Sequence, residues 1–342
     1  MPAPLTRRLF GASLLSLPSA AILARPAWAQ PGMKVAMLLP GSINDQSWNA
    51  QGHAALAAMK AAGAETAYSE NVGAAEQVEA MRDYARRGFG AVIGHSGRFL
   101  SAAQRVGPEF AGSRFIVGSG SGGAGANVAS VDYDNAQMGY LVGVLAARMS
   151  KTGKVASVNG LEGLPNIVAQ VGGFRQGVRS VLPGALVQVT YLPSMEDAAM
   201  AREAALAAIG AGADFVFGKL NAGHAGIVQA ARERGAYTSG RSLDHAAAAP
   251  DAVLTTIAER WQTMYSAAVQ AAAAGSLAPA LQMYGFASPA GSGADLRYSE
   301  ALELNPVVPQ AVADAVAQTR ARFASGDLKL TVTREDARGG TA

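Results

Sequence analysis

Short apolar runs alternate along this chain with longer stretches in which apolar side chains recur at helical spacing. The runs at 34–39, 91–94, 114–117, 154–158, 186–191, 214–217 and 253–257 are rich in valine and isoleucine and bounded by glycine or proline. Runs of this kind predict strands of a parallel sheet buried on both faces. The alanine-rich stretches at 48–62, 75–87, 135–149, 165–181, 196–209, 222–234 and 260–274 predict the intervening helices, alanine being the best helix former. Gly63, Gly88, Gly210 and Gly235 stand where left-handed helix caps are expected. Strand–helix alternation predicts doubly wound α/β units. The tail is less regular: 281–287 reads as a strand, 295–304 as polar and irregular, 308–325 as a helix, and the last ten residues as frayed.

A chain of 342 residues suits two domains. The glycine-rich stretch 118–126 carries no helix or strand signal, and similar strand–helix units on either side of it predict two similar lobes. It lacks the Gly-Lys-Ser/Thr ending of a phosphate-binding loop. A hydrophobic content of 50% argues against long disorder. The absence of cysteine removes disulfides, thiolate metal sites, thiol nucleophiles and a lipid-anchoring cysteine together.

The formal charge of +3 at first suggests an acidic partner, but its location changes that picture. Residues 1–29 hold Arg7, Arg8 and Arg25 and no acid, which leaves 25 basic residues against 25 acidic ones in the rest. The same segment reads as an export leader: a basic start, an apolar run, then Ala27-Trp28-Ala29 as a cleavage site. Arg7-Arg8 before that run matches a twin-arginine signal, with an ordinary secretory leader as the other reading. A run interrupted by Pro18 is too short to span a bilayer. The expectation is a freely diffusing, monomeric periplasmic protein with no nucleic-acid partner, and its neutral mature chain suits uncharged solutes.

Catalysis finds little support. His53, His95, His224 and His245 form no metal-spaced pair, no G-x-S-x-G elbow occurs, and no cofactor motif is present. Recognition finds more. The first strand ends at Pro40, and a polar loop with Asp45, Ser47, Trp48 and Asn49 leads straight into a helix. Open α/β sheets bind ligands beyond the carboxyl ends of their strands. There an indole can stack on a flat ring while the polar neighbours bond its edges. The other reading makes Asp45 or Ser47 a helix cap and Trp48 core.

The pieces Val35-Ala36-Met37-Leu38-Leu39, Asn44 to Asn49, and Glu70-Asn71-Val72 occur in a telling order. After them come 135–148 (NAQMGYLVGVLAAR), Phe174-Arg175-Gln176-Gly177 with Val181-Leu182-Pro183, and Val228-Gln229-Ala230-Ala231. Gly240-Arg241-Ser242-Leu243-Asp244 and 250–261 (PDAVLTTIAERW) with Tyr265 close the series. In this the chain resembles the basic membrane protein family, the substrate-binding proteins of ATP-binding cassette importers, some of which bind purines and nucleosides.

The resemblance implies a type I periplasmic-binding fold: two Rossmann-like lobes joined by three crossovers, closing over a ligand. It places one lobe at 30–131 plus about 245–278, the other at 132–244 plus about 279–330, and a frayed tail at 331–342. It also makes Trp48 the stacking aromatic with Asp45 and Asn49 beside it. Phe99 is then a second aromatic wall, His95 and Ser96 lie at the adjoining strand end, and Phe174 is near the cleft. Asn221, Ser242 and Asp244 complete the candidate set. Three departures weaken purine specificity. Ser242 replaces an acid, Gly172 replaces an Asn, and Glu259-Arg260 replaces a Lys that some members carry just before the Trp. The implied partner is an inner-membrane permease and the ligand a purine base or nucleoside, with no cofactor. Another heterocycle, a sugar, a sensor that docks on a receptor, and an exported hydrolase are the alternatives.

Overall fold

The computed structural model describes residues 34–45 and 48–341, together with Met1. Apart from Met1, the leader expected over 1–29 lies outside the described residues, as does Ser47. Among the described residues, no helix is long and apolar enough to cross a membrane.

The chain runs first through β1 (Lys34–Leu38), α1 (Trp48–Ala61), β2 (Glu65–Ser69), α2 (Gln77–Arg86), β3 (Ala91–Gly94), α3 (Leu100–Val106), β4 (Arg114–Gly118) and β5 (Val128–Tyr133). It then crosses to α4 (Asn135–Met149), β6 (Lys154–Asn159), α5 (Pro165–Val181), β7 (Leu186–Tyr191), α6 (Ala198–Gly210) and β8 (Phe215–Lys219). The same lobe continues through α7 (His224–Arg234), β9 (Tyr237–Gly240), α8 (Leu243–Ala248) and β10 (Val253–Glu259). The chain returns for α9 (Trp261–Ala273) and β11 (Leu281–Tyr284), and crosses a third time to β12 (Ala294–Arg297), α10 (Gln310–Ser325) and β13 (Gly340–Thr341). Two sheets result, in the orders β11-β5-β4-β3-β1-β2 and β12-β10-β9-β8-β6-β7-β13. The first is parallel throughout, and β12 and β13 add antiparallel edges to the second. This is the two-lobed α/β architecture of type I periplasmic binding proteins.

β1 illustrates why the apolar runs fold as they do. Val35 and Met37 enter one core cluster and Ala36 and Leu38 another, so alternate side chains are buried on opposite faces of the sheet. Helices cover both faces, and the carboxyl ends of the parallel strands open toward the gap between the lobes.

Strand pairing redraws the expected lobe boundaries. β10, expected in the first lobe, pairs with β9 in the second sheet, while β11, expected in the second, pairs with β5 in the first. The glycine-rich stretch 118–126 is not a boundary either, since it joins β4 and β5, neighbours in one sheet. The tail is held rather than frayed. Gly340 and Thr341 pair with β7, and the Arg175 guanidinium donates to the carbonyls of Asp336 (2.9 Å) and Arg338 (3.0 Å). A buried guanidinium must find acceptors, and the tail supplies them. Part of the stretch expected to be irregular forms β12, whose edge pairs with β10.

Helices α4 and α5 pack through interlocked glycines. A Cβ on Gly139 would sit 2.0 Å from the Gln170 carbonyl oxygen, and one on Gly173 2.2 Å from that of Ala136. Gly177 and Gly143 make comparable approaches to Tyr140 and Phe174. Three of these glycines, 139, 143 and 177, fall within the family-like pieces, whose role here is helix packing. Because the obstacle is backbone, Gly139→Ala is expected to cost about 1–3 kcal/mol, seen as a lower urea midpoint with an unchanged slope.

Candidate functional site

The loop after β1 is built by its own polar side chains. Asp45 accepts from the backbone N–H of Asn49 (2.9 Å) and Ala50 (2.9 Å), so it caps the first turn of α1, and also from Asn49 Nδ2 (2.7 Å). Asn49 Oδ1 accepts from the Gly41 N–H (3.1 Å), tying the loop's start to the helix. Glu70 accepts from the Ile43 N–H (2.8 Å), and the Asn71 N–H donates to the Gly41 carbonyl. Asn71 is one of two described residues other than glycine with positive φ. The Glu70-Asn71-Val72 piece therefore fixes this loop.

Trp48 and His95 hold each other reciprocally. The Trp48 indole N–H donates to the His95 carbonyl (2.8 Å), and His95 Nε2 lies 2.8 Å from the Trp48 carbonyl. A carbonyl only accepts, so Nε2 carries the proton, and Nδ1 takes the Tyr265 hydroxyl hydrogen at 2.6 Å. The two rings stack at 4.2 Å, with Trp261 edge-on to Trp48 at 4.9 Å. One face of the indole is thus covered, and Trp48 lines a cavity between the lobes with what remains.

Burial pushes the His95 imidazole down to about 4, against the pull of the Trp48 carbonyl and of Glu259 and Asp45. The unfolded chain takes up a proton below the ordinary 6.5 that the folded chain refuses until about 4. Stability is therefore expected to fall as pH drops through that window. Asp132, raised to about 7 chiefly by burial, works in the opposite sense. Denaturation of the wild type and His95→Gln across that pH range isolates the histidine: the variant should show the shallower loss on acidification.

The cavity measures about 620 Å³, within the range of small-molecule sites. It brings together Asp45, Trp48, Asn49 and Ser96 from the first lobe and Asn221 from the second. Ser96 Oγ accepts from the Arg98 N–H and caps the short turn after β3. Other candidates lie elsewhere. His95 is fully buried behind Trp48. Phe99 is fully buried in the core between the first sheet and its outer helices. Phe174 is fully buried and stacks on Phe217 at 4.7 Å. Both phenylalanines are apolar and buried in core clusters, which favours core over cleft. Ser242 stands at the start of α8, and Asp244 is exposed beyond it; neither lines the cavity.

Several cavity residues stand outside the candidate set. From Gly240-Arg241-Ser242-Leu243-Asp244 it is Arg241 that reaches the cavity, and Lys219 reaches it from the end of β8. Lys219 is 5% exposed, and its ammonium donates to Tyr133 Oη (2.7 Å), Gln170 Oε1 (3.0 Å) and Asn135 Oδ1. The Tyr133 hydroxyl donates to Glu259 (2.9 Å), which also accepts from Arg241 and from the Trp261 indole N–H (2.7 Å). Burial and the nearby Arg241 push the Lys219 ammonium down to about 8, with Glu259 and Asp132 pulling the other way. Burial opposes the Glu259 charge, but Arg241 and Lys219 outweigh it and hold the carboxyl below its usual range. This network joins β8 and β9 to the crossovers at 133–135 and 259–261. Its one signal in the sequence is a lone lysine ending an apolar strand, at the side where such sheets bind ligands.

Residues 33–285 match the family described as ABC transporter substrate-binding protein, PnrA-like. The chain belongs to that family. Its members are substrate-binding proteins rather than enzymes, and the family-like pieces noted above fall within the matched span. A transcriptional activator protein med of Bacillus subtilis is 26% identical over 68% of this chain and 72% of its own length. A purine-binding protein of Brucella abortus is 28% identical over 71% and 70%. Among solved structures, a solute-binding protein of an ABC transporter system from Conexibacter woesei superimposes with a TM-score of 0.69. It is 26% identical, covering 88% of this chain and 99% of that one.

Proposed function

We propose that this protein captures a purine base or nucleoside in the interlobe cleft and delivers it, in the periplasm, to the permease of an ABC importer. The observation that carries this reading is Trp48. Its ring is fixed by His95 on one face and lines the cavity at the strand ends of the first sheet. Stacking of a base on such an indole contributes about 1–3 kcal/mol. Asp45 and Asn49 beside it are held in place by one another. Similarity to the purine-binding protein of Brucella abortus supports the same ligand class.

A thermal-shift panel of purine bases, nucleosides, sugars and other heterocycles tests it. A ligand at 100 times its Kd stabilises by about 2.7 kcal/mol, so a bound purine should raise the melting temperature by several degrees. No shift with any purine and a clear one with a sugar would reassign the ligand. Mass spectrometry of ligand released from protein purified out of cells gives an independent answer. Similarity to the med activator supports a second reading, in which the liganded protein signals to a receptor. Uptake of labelled ligand by cells lacking this protein separates the two, because only a transport role predicts its loss.

A further inference from the structure

The charged side chains that line the cavity are not equally committed. The two acids are engaged. Asp45 caps α1 through both carboxylate oxygens. Glu196 accepts from Asn221 Nδ2 (2.6 Å) with one oxygen and from the Ala222 N–H (3.1 Å) with the other. Lys219 spends its three N–H groups on Tyr133, Asn135 and Gln170. Two arginines remain. Arg98, on the first lobe after β3, is exposed, and among the described residues its guanidinium has no hydrogen-bond or ion-pair partner. Arg241, on the second lobe after β9, is 11% exposed and donates to Glu259 through Nη2, while its buried Nη1 has no partner. Guanidinium groups have only donors to offer, and a buried one left unsatisfied is costly. The cavity therefore presents acids that already hold donors, Arg98 with its donors open on one lobe, and Arg241 with one buried N–H group unmet on the other.

We infer that the ligand is an anion: a flat ring bearing an acidic oxygen group that is held between Arg241 and Arg98 while the ring lies on Trp48. The acidic group is a carboxylate, a phosphate ester or an ionised ring oxo group, which share a cluster of charged acceptor oxygens suited to arginine. This rests on the reading of Trp48 as the stacking surface, and it differs from the neutral solute that the chain's balanced charge suggests. With one arginine on each lobe, an anion that engages both bridges the two lobes.

Isothermal titration of matched pairs tests the charge directly: hypoxanthine against urate, adenosine against adenosine 5′-monophosphate, and nicotinamide against nicotinate, at low and high salt. In at least one pair the charged member should bind about tenfold or more tightly than its neutral partner, and high salt should shrink that gap. Arg241→Gln should narrow the preference about tenfold. Arg98→Gln, at an exposed side chain without a partner, should narrow it about threefold with no change in melting temperature; this variant carries the test if Arg241→Gln fails to fold. Neutral members binding as well as or better than charged ones in every pair would overturn the inference, as would a preference untouched by Arg98→Gln in a chain that still folds. If hypoxanthine or adenosine binds and its charged partner does not, this inference fails while the purine reading stands. If nicotinate alone binds, the purine reading fails and the anion stands. Silence from all six sinks both.

Discussion

Trp48→Ala is expected to weaken ligand binding by about tenfold to a hundredfold, the worth of one aromatic stacking surface in a base site. The same change should also lower the stability of the ligand-free protein by about 1–3 kcal/mol. Both effects follow from one geometry. The indole gives one face to the His95 ring at 4.2 Å and its N–H to the His95 carbonyl, so its loss opens a gap beside Trp261 as well. Trp48→Phe separates the roles. It keeps a ring for the ligand and removes the N–H, so it should recover most of the affinity and little of the stability. Titration calorimetry and urea denaturation on the two variants read these quantities independently. A destabilised alanine variant with unaltered affinity would make Trp48 a core residue and nothing more.

Lys219→Met is expected to destabilise the protein by about 3–5 kcal/mol, the usual consequence of removing one partner from a buried charged network. Methionine matches the lysine stem in length, so packing changes little and the loss is electrostatic. Without the ammonium, Asn135 Oδ1 loses its donor inside the molecule, Gln170 Oε1 keeps only the longer bond from the Tyr133 hydroxyl (3.2 Å), and Glu259 loses one of two compensating charges. The expected signature is a large fall in the urea midpoint. A second signature is an upward move of the Glu259 carboxyl toward its ordinary range, seen as a smaller loss of stability on the acid side from this group. A midpoint shift below about 1 kcal/mol would mean that water or side-chain rotation satisfies these acceptors in place of Lys219.

The parts of the fold that the sequence reveals are those decided within one segment. Helices α4 and α5 and strands β3 and β7 begin and end where periodicity and capping place them. Strands β2 and β9 gave no such signal. β2 is a polar edge strand, ETAYS, and β9 is four residues long, YTSG. Neither offers enough apolar repetition to stand out. The loop around Trp48 was legible for the same local reason, since Asp45, Trp48 and Asn49 lie within one helical turn of each other and cap, stack and bond there. Phe99 and Phe174 misled because an aromatic near a strand end reads alike whether it faces the cleft or the core.

Alternation of apolar runs with helical stretches therefore determined by itself the α/β class, most of the elements and the site loop. The tertiary structure alone decided that β10 belongs to the second sheet and β11 to the first, and that Lys219 and Arg241 reach the cleft. The reason is range. Periodicity reports which face of its own segment a residue occupies, and that is settled by neighbours a few positions away. Strand partners, and bonds such as Lys219 to Tyr133 across 86 residues or Tyr133 to Glu259 across 126, depend on which segments the folded chain brings together. No local pattern encodes that meeting.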